Sequence, residues 1–150
     1  MITNERAIPV INLLNREKNG VLSTLSKKMG GWPFGSLTPF AMTAEGDPMF
    51  LLSGLAEHTH NIVADPRVSL FLQDSSALDN PQAGARATIL GNAGMIEDAS
   101  LDDAKNRYLD RFPDSAQMFQ MGDFKLFRLK IERVRYIGGF GEMYWLSWEE

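Results

Sequence analysis

The segment Ser53-Gly54-Leu55-Ala56-Glu57-His58-Thr59-His60-Asn61 is the most informative stretch of the chain for chemistry. A strand ends at its Ser-Gly corner and a helix begins. A helix start presents backbone N–H groups without intrahelical partners and a partial positive charge, so it suits a phosphate. Ser53, His58, Thr59 and Asn61 add side-chain donors there. The same residues also suit an ordinary capped helix with surface histidines. His58 and His60 are the histidines of this sequence, two residues apart. On a helix that spacing sets them about 200° apart, so one metal ion cannot take both, and no zinc ligand set is visible. A haem iron needs only one axial imidazole, which either can supply.

Three further groups deserve naming. Ser36 and Thr38 share a face of an expected strand by period-two alternation, and Pro39 leaves part of that strand's edge free of ladder bonds. Arg86 stands among Ala83, Gly84, Ala85 and Ala87, two residues from Thr88. Its planar fork suits a phosphate, or it is solvated on an outer face. Gly138-Gly139-Phe140-Gly141 lets backbone approach a ligand or a neighbouring subunit, or simply turns the chain before Met143-Tyr144-Trp145-Leu146. No Ser-His-Asp order, paired-acid motif or nucleophile elbow is present, so any catalysis has to come from a cofactor.

The elements that carry these groups follow from period and punctuation. Residues 3–16 predict a helix capped by Thr3 or Asn4, with Ala7, Val10, Ile11 and Leu14 on one face; Pro9 requires a later start or a bend. Strands are expected over 21–25, 35–43, 49–52, 68–73, 83–96 and from Phe124 to Ile131, the last broken near Glu132-Arg133. Glu45-Gly46-Asp47-Pro48 predicts a hairpin turn, and Gly91 and Gly94 a bulge or bend. Helical patterns cover 55–64, 100–111 and 114–120. Six strands with mostly short links make a closed antiparallel sheet with short peripheral helices the economical architecture.

Composition limits the classes. The 150 residues hold 44% hydrophobic residues, no cysteine and a net charge of −4. That is one domain with a core of its own, without disulfides or thiolate metal sites. The acidic balance argues against nucleic acid, and the basic stretch 125–135 alternates with apolar residues like the wet face of a strand. No apolar run approaches the roughly 20 residues of a membrane span, and the first residues lack a signal-peptide pattern, so a cytoplasmic protein is expected.

The runs Gly20-Val21-Leu22-Ser23-Thr24-Leu25, Pro33-Phe34-Gly35-Ser36-Leu37-Thr38-Pro39-Phe40, Leu52-Ser53-Gly54-Leu55-Ala56-Glu57-His58-Thr59-His60-Asn61, Asp65-Pro66-Arg67-Val68-Ser69-Leu70 and Ala85-Arg86-Ala87-Thr88-Ile89-Leu90-Gly91 resemble the pyridoxamine-phosphate-oxidase-like, FMN-binding split β-barrels. Within them the sequence is most similar to the haem-utilisation branch. The resemblance covers nearly the whole chain. It implies one mainly β (α+β) domain over 1–150, a six-stranded antiparallel split barrel, and a homodimer with a planar cofactor in each interface cleft. FMN and an oxidoreductase are the implied reading, and haem binding or haem handling the alternative. The implied cofactor contacts are Ser36, Leu37, Thr38, Ser53, His58, Thr59, Asn61, Arg86 and Thr88. No catalytic residue is implied. Ser36 and His58 stand where the oxidases carry Arg and Lys, and the Glu- and Arg-rich substrate end of the true oxidases is missing. The haem oxygenases of the branch carry an extra C-terminal domain and a late iron-ligating histidine. The alternative reading expects a relative of these enzymes without that domain, with His58 and His60 as the iron-ligand candidates.

Overall fold

The structure, a computed structural model, describes residues 4–139 and 141–148. Thr3, an expected cap, and Phe140, in the expected final turn, lie outside them. The Asn4 side chain accepts from the Arg6 N–H and opens a short 3-10 turn that leads into α1 (Ile8–Arg16). Pro9 sits in the first turn of α1, where an N–H has no intrahelical partner, so the helix needs no bend.

Among the described residues eight strands follow: β1 (Asn19–Leu25), β2 (Pro33–Pro39), β3 (Ala41–Met42), β4 (Pro48–Ser53), β5 (Arg67–Gln73), β6 (Arg86–Met95), β7 (Phe124–Gly139) and β8 (Glu142–Ser147). Between them lie α2 (Glu57–Ala64), α3 (Asp98–Arg111) and α4 (Ala116–Gln120). All pairings are antiparallel, in the order β2-β1-β5-β6-β7-β4-β3, with β8 also on β7. The long strand β7 pairs with β4 through its first residues and with β8 through its last, so one strand serves two halves of the barrel. The path ends at β2 and β3. β2 and β4 approach each other without a ladder, and the barrel is therefore open along that seam.

Side-chain alternation sorts the sheet into an inside and an outside. One cross-strand row runs Leu22, Leu70, Ile89, Val134 and Leu146, all buried, from β1 to β8. Truncating any of these to alanine is expected to cost about 2–5 kcal/mol. β4 is buried on both faces, one against this core and one against a second cluster in which α3 contributes Ala104 and Tyr108. That is why Met49-Phe50-Leu51-Leu52 reads as a continuous apolar run instead of an alternating one.

Three expectations are corrected. The expected strand over 35–43 is two strands: Pro39 donates no N–H, and Phe40, fully buried, donates instead to Lys18 O as the chain crosses from the β1 side to the β4 side. The tail Met143-Tyr144-Trp145-Leu146 is a paired strand, so the sheet has eight strands, not six, and it is open, not closed. The break near Glu132 is a bulge. Leu90 pairs with Arg133 and Gly91 with Ile131, leaving Glu132 as the extra residue of a continuous β7. Gly91 belongs to that bulge, because a Cβ there would meet Lys130 O. The buried Asp47 carboxylate accepts from the Ile131 N–H beside it, at 3.2 Å. The hairpin at 45–48 and the helices stand as expected; in the basic stretch 125–135 Lys125, Lys130 and Arg133 are exposed, and Arg128 and Arg135 are half-buried. Among the described residues no helix is long and apolar enough to cross a membrane.

Candidate functional site

The corner after β4 is held by its own polar groups. Ser53 Oγ accepts from the Leu55 N–H and donates to Asp123 Oδ2, both at 3.1 Å. The Gly54 N–H donates to Asp123 O at 2.7 Å. Thr59 Oγ1 donates to Ser53 O at 2.6 Å, which pulls the first turn of α2 onto the end of β4. Asn61 is 1% exposed. Its amide donates to Thr24 Oγ1 and its carbonyl accepts from the Lys27 N–H, each at 2.9 Å. It therefore ties α2 to the end of β1 and to the loop before β2. Ala56 caps α2 without a side-chain bond, and the Thr59 and His60 N–H groups both donate to its carbonyl.

The two imidazoles leave α2 in different directions. His58 is half-buried, and burial pushes its pKa below the ordinary value, so the neutral ring is favoured. His60 is exposed. Neither ring has a hydrogen-bond partner among the described residues. His60, with Lys27, Lys28, Leu55, Glu57 and Asn61, lines a cavity of about 520 Å³; His58 does not reach it. Asp123, Lys27, Lys28 and Leu55 were not among the expected site residues. Only the adjacent lysine pair, in an acidic chain, gave a sequence signal.

The remaining expected residues lie elsewhere. Ser36 and Thr38 point to the inner side of β2, along the seam facing β4; Thr38 is buried and its hydroxyl donates to Pro39 O at 3.3 Å. Leu37 points to the opposite face and is 79% exposed. It begins an outer row that continues through Val21, Phe71, Thr88, Arg135 and Trp145 across six strands. Arg86 shares that face, one rung nearer the Gln73 end, and its buried Nε has no hydrogen-bond partner. Thr24, which anchors α2, falls near the Val68–Gly91 rung, five residues along β6 from Arg86, or about 16 Å. Within one chain, then, Ser36, Thr38, Ser53 and the α2 residues border the seam and its lower corner. Leu37, Arg86 and Thr88 lie on the outer face. No group of three or more His, Asp or Glu side chains gathers as a metal-ligand set among the described residues.

Known proteins align with this geometry over most of its length. The chloroplastic heme oxygenase HOZ of Arabidopsis thaliana is 34% identical over 127 residues, which are 85% of this chain and 38% of that protein. Heme oxygenase HutZ of Vibrio cholerae is 30% identical over 139 residues, 90% of this chain and 78% of HutZ. A solved heme binding protein from Mycobacterium smegmatis superposes with a TM-score of 0.88 at 29% identity, covering 98% of this chain and 60% of that one. The chain thus spans less than two thirds of the Arabidopsis and mycobacterial proteins. Residues 4–150 match the CREG β-barrel profile, and with its open eight-stranded barrel the chain belongs to the CREG β-barrel family.

Proposed function

We propose that this chain is a haem-binding protein, working as a homodimer, in which α2 supplies the iron ligand. The observation that carries this reading is the pair of α2 imidazoles without a hydrogen-bond partner among the described residues, in a chain whose relatives are named for heme. Bound haem would supply an iron that takes an imidazole ligand and can change oxidation state. The chain's own part is to present an imidazole and to fix its direction through α2. The Asn61 and Thr59 bonds fix α2 against β1 and β4, and so fix where its histidines point.

The same corner fits a flavin phosphate poorly. Ser53, Thr59 and Asn61 already spend their polar groups inside the protein, and a phosphate beside Ser53 would face the Asp123 carboxylate. Flavin binding stays as a second reading on one observation: the unpartnered Arg86 Nε beside Thr88, an anion-seeking group on the outer face.

That outer face supports the dimer. Leu37 and Trp145 are well exposed at its two ends, with Val21 and Phe71 between them. An outer row in which Leu37, Val21 and Phe71 adjoin, with Thr88 and Arg135 between them and Trp145, suits a second copy of the same face. Leu37→Glu combined with Trp145→Glu is expected to convert a dimer to a monomer by light scattering. A wild-type monomer would overturn the dimer.

Titration with ferric protoporphyrin IX tests the function. A saturable Soret band with one haem per chain is expected. A featureless titration together with uptake of FMN would overturn haem in favour of the second reading.

A further inference from the structure

We infer that β8 is a docking edge for a second copy of this chain, the two β8 strands pairing antiparallel about a two-fold axis at Trp145. This rests on the homodimer reading above and gives that dimer one of its contacts.

Three strands border the sheet among the described residues, and two of them are protected. β3 is two residues long and packs against α3. In β2 the hydrogen bonds fix which residues face outward. The Ser26 N–H donates to Trp32 O and the Phe40 N–H to Lys18 O, so Pro33, Gly35, Leu37 and Pro39 turn their backbone groups away from β1. The prolines at both ends have no N–H to offer, which makes this edge a poor template for another strand.

β8 has neither protection. The Trp148 N–H donates to Glu132 O at 2.9 Å and the pairing runs on in register, so Tyr144 and Leu146 turn their backbone groups to β7. Met143, Trp145 and Ser147 turn theirs outward, and no described residue accepts from those N–H groups. Between Met143 and Ser147 there is no proline and no charged side chain. The strand is also fixed in place. Leu146 is buried in the core row, and the Tyr144 hydroxyl donates to Arg6 O at 2.8 Å. An ordered edge gives up little freedom when a second strand joins it.

The pattern is complementary to itself. With Trp145 on the axis, it faces Trp145 of the partner subunit, and Met143 faces Ser147 of the partner subunit. All the outward residues then fall in hydrogen-bonded pairs, and three N–H groups from each copy make six bonds. Trp145 and Met143 are half-exposed on the outer face, and the pairing sets two indoles side by side. Arg135 already lies over the Trp145 ring, 5.7 Å from its centroid, so each indole is flanked by a cation of its own chain. The chain is acidic overall, yet Glu142 falls opposite Trp148 of the partner subunit, so no carboxylates oppose each other along the edge.

The test uses the whole chain, with the dimer dissociation constant read by sedimentation equilibrium and folding by circular dichroism. Met143→Pro and Ser147→Pro each delete an outward N–H and spare the ladder to β7. By symmetry each removes two of the six bonds, and each is expected to weaken the dimer about ten-fold. Gly35→Pro, the matching deletion on β2, is expected to leave it unchanged. The chain has no cysteine, so Trp145→Cys carries a single nitroxide. Its spectrum is expected to be dipolar-broadened in the dimer, because residues in such a pair have Cα atoms about 5.5 Å apart. Should a proline variant unfold, the nitroxide decides alone. A dimer that keeps its affinity in both proline variants, or whose nitroxides show no broadening, would overturn the edge contact and leave the homodimer standing. A wild-type monomer would remove the homodimer reading and this contact with it.

Discussion

Arg111, the last residue of α3, carries a testable load far from the cavity. Its guanidinium donates to Asn15 O at 3.0 Å and to Glu17 O and Phe40 O at 3.1 Å, with longer contacts to Leu14 O. It also lies over the Phe40 ring, 5.5 Å from its centroid. One fork thus serves the carbonyls that α1 leaves open at its C-terminus and the crossing between β2 and β3. Each bond to a charged donor is gross-favourable by about 1.5–3 kcal/mol, but the guanidinium is only partly buried, so about 1 kcal/mol each for the Glu17 and Phe40 bonds is reasonable. A cation at a helix C-terminus adds about 0.3–1 kcal/mol, and the exposed Asn15 bond a few tenths. Arg111→Ala should therefore cost about 3 kcal/mol, or about 6–12 °C in Tm for a domain of this size. Arg111→Lys, a point charge without the fork, should lose about half of that. Urea unfolding followed by far-ultraviolet circular dichroism at one fixed protein concentration measures both, because a dimer's stability depends on concentration. A loss under about 1 kcal/mol for the alanine variant, or a lysine variant as stable as wild type, would refute the fork as a clamp.

Other expectations follow from single residues. Gly91→Ala puts a methyl group against Lys130 O and Leu129 at the bulge and should cost about 2–4 kcal/mol, whereas Gly94→Ala, with open space around it, should cost under about 1 kcal/mol; thermal melts compare them. Asn61→Ala removes two bonds from a buried amide and should cost about 1–3 kcal/mol by urea unfolding. His58 titrates below its ordinary value near 6.5 in the folded chain because burial disfavours its charge. Its contribution is full above that value and lost as pH falls through it, since the unfolded chain then binds the extra proton. Stability should decline from about pH 7 towards pH 5, and His58→Gln should flatten that decline; an unchanged slope in the variant would assign it elsewhere.

Much of the barrel was readable because its strands bury one face and alternate. Leu22, Leu70 and Ile89 stand out by period two, and the Glu45-Gly46-Asp47-Pro48 turn by its residue types. What was missed depended on pairing at a distance. Nothing local marks Phe40 as the crossing between two halves of the barrel, nor the tail at Trp145 as a strand, since both are decided by which neighbour supplies the ladder. The slip at Glu132 was visible as a broken period, but only the pairing with Gly91 makes it a bulge. At the site, Ser53, Thr59 and Asn61 were legible as polar groups near a helix start, and the structure bonds them within the protein. Their partners, Asp123 and Lys27, lie 70 and 34 residues away from the residues they bond, beyond any local pattern. Likewise Lys27, Lys28 and His60 share an opening only because the β1–β2 loop folds back over α2.

The most direct measurement is a spectrum of the whole chain after dialysis against equal concentrations of ferric protoporphyrin IX and FMN. A Soret band at one haem per chain, with no flavin bands, is the outcome expected of a haem-binding barrel. Flavin bands without a Soret band would contradict it.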